Sequence, residues 1–160
     1  MILTLIQALI FLSYVTFLWI KFKGPLPSIS ESWYRLKELG GTSYGWFTLF
    51  CMSLGFTMFF QADITNPVPL FFISGASLVF VGVATMYKSK TSPDKWMHPL
   101  CAAICIVFGL IGVGVEHHSW IPTIAFVLAT GIIKLSKINN ATWWIEMAAF
   151  LSILGGLLIF

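Results

Sequence analysis

Six long apolar runs, separated by short polar connections, dominate the pattern of hydrophobic and polar positions along the chain. They cover residues 2–20, 44–60, 68–86, 97–115, 121–133 and 141–160. A helix needs about 20 apolar residues, at ~1.5 Å rise each, to cross the hydrocarbon of a bilayer. The pattern therefore predicts an all-α, polytopic integral membrane protein. We expect a bundle of six transmembrane helices that forms a single membrane domain over residues 1–160.

A seventh, shorter helix is predicted in the connection after the first run. Ser28 and Glu31 have the spacing of a capping box, in which each side chain serves a free backbone amide. Apolar side chains then share one helical face, at Ile29, Trp33 and Leu36. We expect an amphipathic helix over residues 28–39 that lies in the membrane interface. Alternatively Ser28, Ser30 or Ser32 is a nucleophile, but no partner base lies nearby in sequence.

Composition supports the membrane interpretation and limits the partners. The chain is 58% hydrophobic and only 9% charged, with a mean hydropathy of +0.91, which excludes a water-soluble core. The net charge of +3 is too small to indicate a nucleic-acid partner. The predicted partners are the lipid bilayer and either further copies of the chain or another membrane protein. The sequence indicates no particular cofactor.

The distribution of basic residues predicts the orientation. Lysine and arginine follow the first, third and fifth runs and are absent from the connections after the second and fourth. The positive-inside rule then places both termini outside, in a cytoplasmic or plasma membrane. On this topology six of the seven tryptophans fall at the inner interface, as in an aromatic belt.

Glu146 is the most informative single residue, because it places a carboxylate in the second turn of an otherwise apolar run, where charge is costly. One interpretation makes it a proton or cation ligand that meets His98, which lies at a similar inner depth. The other has Glu146 reach the inner interface and pair with Lys137, Arg35 or a tryptophan indole. His98 alone is typical of an interfacial histidine.

Four polar residues are expected together on the outer side: Asp63, Glu116, His117 and His118. Carboxylate and imidazole are ligands for first-row divalent metals. The spacing is poor for this, because adjacent helical residues point about 100° apart. A pH-sensitive cap, a solute vestibule or an ordinary solvated rim are the alternatives.

Small residues in the fourth run predict close helix packing, at Cys101, Cys105, Gly109, Gly112 and Gly114. Such residues let the backbones of membrane helices approach each other. We favour this over a redox or metal role for the two cysteines.

The preferred function is binding or conduction of a small ion or solute by an oligomer. The inner residues Glu146 and His98 would lie at one mouth and the outer set at the other. A non-catalytic accessory or scaffolding subunit is the first alternative. The second is a membrane-embedded lipid hydrolase of the ceramidase and adiponectin-receptor type. The specific features of that type are missing here, because this chain has no H-x-x-x-H motif on its last run and has six runs rather than seven.

Overall fold

The computed structural model describes residues 2–40, 42–62, 69–84 and 96–159. Within these ranges the regular secondary structure is entirely helical, which confirms the all-α prediction for the described part of the chain. The helices are α1 (Ile2–Phe22), α2 (Ser32–Glu38), α3 (Gly45–Gln61), α4 (Leu70–Ala84), α5 (Met97–Glu116), α6 (Ile121–Leu135) and α7 (Ala141–Ile159).

Three of these helices are long and apolar enough to cross a membrane. They are α1, α5 and α7, with 21, 20 and 19 residues. The other apolar helices are shorter, with 17 residues in α3 and 15 each in α4 and α6. A 15-residue helix reaches only ~22 Å against a hydrocarbon core of ~30 Å. A membrane protein is thus supported, while six complete crossings are not established; the last two residues of the predicted third run lie outside the described ranges.

α1 is apolar on both of its faces. Its buried stripe consists of Thr4, Gln7, Phe11, Tyr14, Val15 and Leu18. The opposite side exposes leucines and isoleucines, including Leu9 at 65% and Leu12 at 52% of their surface. A helix that is hydrophobic all round suits a lipid environment rather than water.

α1 continues two residues past the predicted end of the first run. Lys23 has a left-handed backbone with φ of 56°, and the N–H of Gly24 donates to the carbonyl of Trp19 at 3.2 Å. This six-to-one bond is the closing hydrogen bond of a Schellman motif, which satisfies a free carbonyl at the helix end. Lys21 and Lys23 therefore sit where the helix dipole favours positive charge.

The predicted helix over residues 28–39 is shorter in the structure. The N–H of Glu31 does donate to Ser28 Oγ, at 3.0 Å, but this bond closes a turn, and α2 begins at Ser32. The N–H of Ile29 is directed at the side chain of Glu146. Residues 29–31 form a turn, in which the N–H of Ser32 donates to the carbonyl of Ile29 at 3.1 Å, and the helix starts four residues later than predicted.

The chain forms two compact units. One consists of Met1–Ser32 and Leu110–Phe160, and the other of Trp33–Gly109. α5 contributes its first part to the second unit and its last two turns to the first. In the first unit α7 packs on α1 and α6, with the rings of Phe11 and Phe150 4.9 Å apart.

The second unit is built around close contact between α3 and α4. A methyl group placed on Gly75 would lie 2.5 Å from the carbonyl oxygen of Gly55, and one on Gly82 would lie 2.6 Å from Cys51 Cβ. The buried Ser74 also donates to the carbonyl of Cys105 on α5, at 2.7 Å. Missing side chains at the crossing let the two backbones touch, as in other membrane helix pairs.

We expect Gly75→Ala to destabilise the protein by on the order of 1–3 kcal/mol, because the added methyl group overpacks a backbone contact that cannot give way. Gly155→Ala is the matched control, since no neighbouring atom lies within 4 Å of the added group and alanine favours helix. Thermal unfolding in detergent compares the two variants. Equal midpoints for both would contradict the packing argument.

Candidate functional site

The described carboxylate with the most elaborate surroundings is Glu146, half-buried in the second turn of α7. Its Oε2 accepts a hydrogen bond from the backbone N–H of Ile29. Its Oε1 accepts a longer bond, of 3.4 Å, from the hydroxyl of Ser30. Both donors are neutral, and within the described ranges Glu146 forms no ion pair.

The two donors belong to a stretch of chain, residues 25–32, that lies along the start of α7. Two further bonds hold this 25–32 segment. Asn140 Nδ2 donates to the carbonyl of Pro25 at 2.9 Å, and the N–H of Trp143 donates to the carbonyl of Pro27 at 3.2 Å. Successive parts of the segment thus meet residues 140, 143 and 146, which are spaced by three and share one side of the helix.

Local chemistry explains why the segment binds there. The N–H of Trp143 is among the first four amides of α7, which have no carbonyl partner within the helix. Proline has a carbonyl but no N–H. Pro25 and Pro27 can therefore each accept a hydrogen bond and have no N–H that needs an acceptor. Asn140 has a left-handed backbone with φ of 59°, a conformation that asparagine tolerates better than most residues.

The segment is also tied to α1. The hydroxyl groups of Tyr14 and Ser32 are 2.6 Å apart, and both residues are buried. Nearby, the rings of Trp19 and Trp144 meet edge to face with centroids 6.4 Å apart. Bonds to α1 and α7 at several points make the 25–32 segment a fixed part of the first unit.

Ser28 extends the polar contacts of Glu146 toward the exposed Pro27. Its Oγ is 3.0 Å from Ser30 Oγ and also accepts from the N–H of Glu31. Ser28 and Ser30 are half-buried, and Pro27 beside them is exposed. The hydroxyls of Ser28 and Ser30 therefore lead from an exposed turn to the carboxylate.

His98 has its own surroundings in the second unit. Its Nδ1 donates to the carbonyl of Val81 on α4 at 3.2 Å, and its ring centroid lies 6.4 Å from that of Phe47. Because a carbonyl has no proton to give, the Nδ1 of His98 carries the hydrogen of this bond. The expected pairing of His98 with Glu146 stays a prediction, and Arg35 pairs instead with Glu38 at 3.3 Å.

The predicted outer residues are only partly described. Glu116 ends α5 and is half-buried, His117 follows it, and His118 is exposed with a left-handed backbone, φ 53°. Asp63 lies outside the described ranges. Among the residues that are described, no three His, Cys, Asp or Glu side chains group closely enough to hold a metal ion.

The five α5 residues predicted to pack closely are buried: Cys101, Cys105, Gly109, Gly112 and Gly114. The thiols of Cys101 and Cys105 are free, and Cys105 Sγ is 3.6 Å from the hydroxyl of Ser74. Gly114 lies under the ring of Trp120, which leaves no room for a methyl group. These contacts are those of packed helices.

Sequence reasoning missed the link between Ser30 and Glu146, which are 116 residues apart. It set the serines aside for want of a nearby base, and the structure supplies a carboxylate from the far end of the chain. One signal was present. Asn140 immediately before a helix, together with Pro25 and Pro27 in an otherwise irregular stretch, marks two turns whose polar groups need partners.

Comparisons with known proteins give no family to which the chain can be assigned. No protein-family model, curated protein or solved structure matches it. The functional argument therefore rests on the geometry around Glu146 and the 25–32 segment.

We expect Asn140→Gly to loosen the 25–32 segment, because it removes the bond to Pro25 while glycine keeps the left-handed backbone at no steric cost. Loss of one such bond costs on the order of 1 kcal/mol. Amide hydrogen exchange of residues 26–32 should accelerate about fivefold, the factor that corresponds to that energy. Asn139→Gly is the control, since Asn139 is exposed. Unchanged exchange in Asn140→Gly would show that the bond does not hold the segment.

Proposed function

We propose that this protein is a small multi-pass membrane protein that binds a small cation at Glu146 and, as an oligomer, conducts it. Two observations support this. Glu146 lies on a helix long and apolar enough to span a bilayer, and the described groups that donate hydrogen bonds to its carboxylate are neutral. An acidic side chain costs about 2.5–3.5 kcal/mol at the centre of a membrane helix on insertion scales, and part of that cost applies in the second turn of α7. A bound proton or metal cation offsets much of that cost by neutralising the charge.

The proposed orientation follows the distribution of lysines and puts both termini outside. Glu146 then lies near the inner mouth of the pathway, with His98 as a second inner group. Glu116, His117 and His118 are proposed for the outer mouth, and Asp63, the fourth residue of that predicted set, lies outside the described ranges. The proposal needs more than one copy of the chain, because helices this short leave little interior for a pathway in a single copy.

An accessory or scaffolding subunit is a second candidate, and one observation favours it. The hydrogen bonds of Glu146 hold the 25–32 segment against α7, which is a structural task that needs no bound ion. On this view the carboxylate serves the fold, and the exposed apolar faces of the helices meet lipid or a partner protein. The lipid hydrolase is the weakest candidate, because the described residues hold no group of metal ligands.

We expect Glu146→Gln to lower cation flux at least about tenfold, because it removes the charge that binds the ion, worth 1.4 kcal/mol for each factor of ten. The glutamine side-chain oxygen can still accept from the N–H of Ile29, so the fold is retained. Reconstituted vesicles with dyes for protons, Na⁺ and K⁺ measure the three fluxes separately.

Glu38→Gln is the control for this experiment, since it removes an exposed carboxylate that pairs with Arg35. It should leave the fluxes unchanged. The scaffolding role would be favoured instead if the native protein moved none of the three cations and Glu146→Gln lowered the unfolding temperature.

A further inference from the structure

The hydroxyl groups near Glu146 form an ordered chain of hydrogen bonds. The chain runs from the N–H of Glu31 to Ser28 Oγ at 3.0 Å, on to Ser30 Oγ at 3.0 Å, and then to Glu146 Oε1 at 3.4 Å. A backbone N–H can only donate, and an ionised carboxylate can only accept. The two ends therefore fix the direction of every bond between them.

Because Ser28 accepts from Glu31, its own proton is free to be given to Ser30. Ser30 in turn gives its proton to Glu146. Each hydroxyl accepts one bond and donates one, and all the donated protons point toward the carboxylate. A hydroxyl oxygen has two lone pairs, so Ser28 Oγ can accept one more bond, from water.

We propose that the ion bound by Glu146 is the proton, and that Ser28 and Ser30 relay it to the carboxylate. This inference rests on the proposed function and names its ion and route. Ser28 lies beside the exposed Pro27, where water can reach it, while Glu146 lies within α7.

Hydronium is the only reactant that the relay needs besides the two serines and Glu146. Hydronium gives a proton to Ser28 Oγ and becomes water. The original Ser28 O–H bond breaks as its proton bonds to Ser30 Oγ, and the original Ser30 proton bonds to Glu146 Oε1. Both serines end as neutral hydroxyls, and the carboxylate ends as a carboxylic acid.

Other titratable groups of the first unit lie on the elements around α7. They are Tyr14 and Lys21 on α1, Lys23 directly after α1, Glu31 on the 25–32 segment, Lys134 on α6, Lys137 after α6, and Glu116, His117 and His118 at the end of α5. None of them is among the hydrogen-bond partners of Glu146 in the described chain. Within α7 itself Glu146 is the sole titratable side chain.

The test compares Ser30→Ala, which breaks the relay, with Ser30→Thr, which keeps the hydroxyl. Proton flux into vesicles with an internal pH dye should fall at least about tenfold in Ser30→Ala and stay within about twofold of native in Ser30→Thr. Tyr14→Phe is the matched control for a loosened segment, because it breaks the bond to Ser32 without touching the chain of serines. It should retain native proton flux.

A second measurement reads the carboxylate directly and needs no flux. Infrared difference spectra between low and high pH should show a carboxylic acid band that Glu146→Gln removes and Ser30→Ala keeps, appearing more slowly after a pH jump in Ser30→Ala. Proton flux in Ser30→Ala equal to native would overturn the relay alone. Flux of Na⁺ or K⁺ without protons would overturn the proton as the ion, and no flux of any cation would overturn the proposed function itself.

Discussion

A carboxylate on a membrane helix needs hydrogen bonds that water cannot supply, and at Glu146 a distant backbone supplies them. The N–H of Ile29 and the hydroxyl of Ser30 are aimed at its two oxygens. This requirement shapes the residues around it. Ile29 and Ser30 belong to the 25–32 segment, whose carbonyls at Pro25 and Pro27 also accept hydrogen bonds from Asn140 and Trp143 at the start of α7.

The α3–α4 contact and the 25–32 segment are stabilised in different ways. In Trp33–Gly109, α3 and α4 meet through glycine backbones, so the contact depends on the absence of side chains at Gly55 and Gly75. In the other unit, the 25–32 segment is held by individual hydrogen bonds. Packed backbones resist any added volume, because interiors are already dense. Hydrogen bonds can break and form again one at a time, which makes the 25–32 segment the more easily rearranged feature of the two.

Helix positions could be predicted from the sequence because apolar runs report them directly. Each predicted run has a helix in the described chain, and most ends differ by two residues or fewer, since local signals such as the lysines after the first run mark them. The number of complete crossings could not be predicted, because α4 and α6 have the composition of spanning helices but only 15 described residues each. Ile29 and Glu146 are 117 residues apart, so no local pattern could reveal the bond between them.

The long separation along the chain between Glu146 and its partners also limited prediction of the site. Glu146 could be singled out because a charge within an apolar run is conspicuous, but its partners could not be inferred from depth alone. His98 was the nearest titratable candidate by depth, and its pairing with Glu146 stays a prediction; in the structure His98 donates to the carbonyl of Val81, and Glu146 accepts from the 25–32 segment. Backbone amides and serines carry no signal in a search for charged partners.

Holding the segment and binding a cation are linked, because both use the oxygens of Glu146. Hydrogen bonds to an ionised acceptor are about twice as strong as those between neutral groups. Docking of the 25–32 segment therefore stabilises the ionised carboxylate, and a proton on Glu146 weakens the bonds to Ile29 and Ser30. By reciprocity, a change that loosens the segment must favour the protonated carboxyl to the same extent. Protonation of Glu146 is therefore coupled to the position of the 25–32 segment.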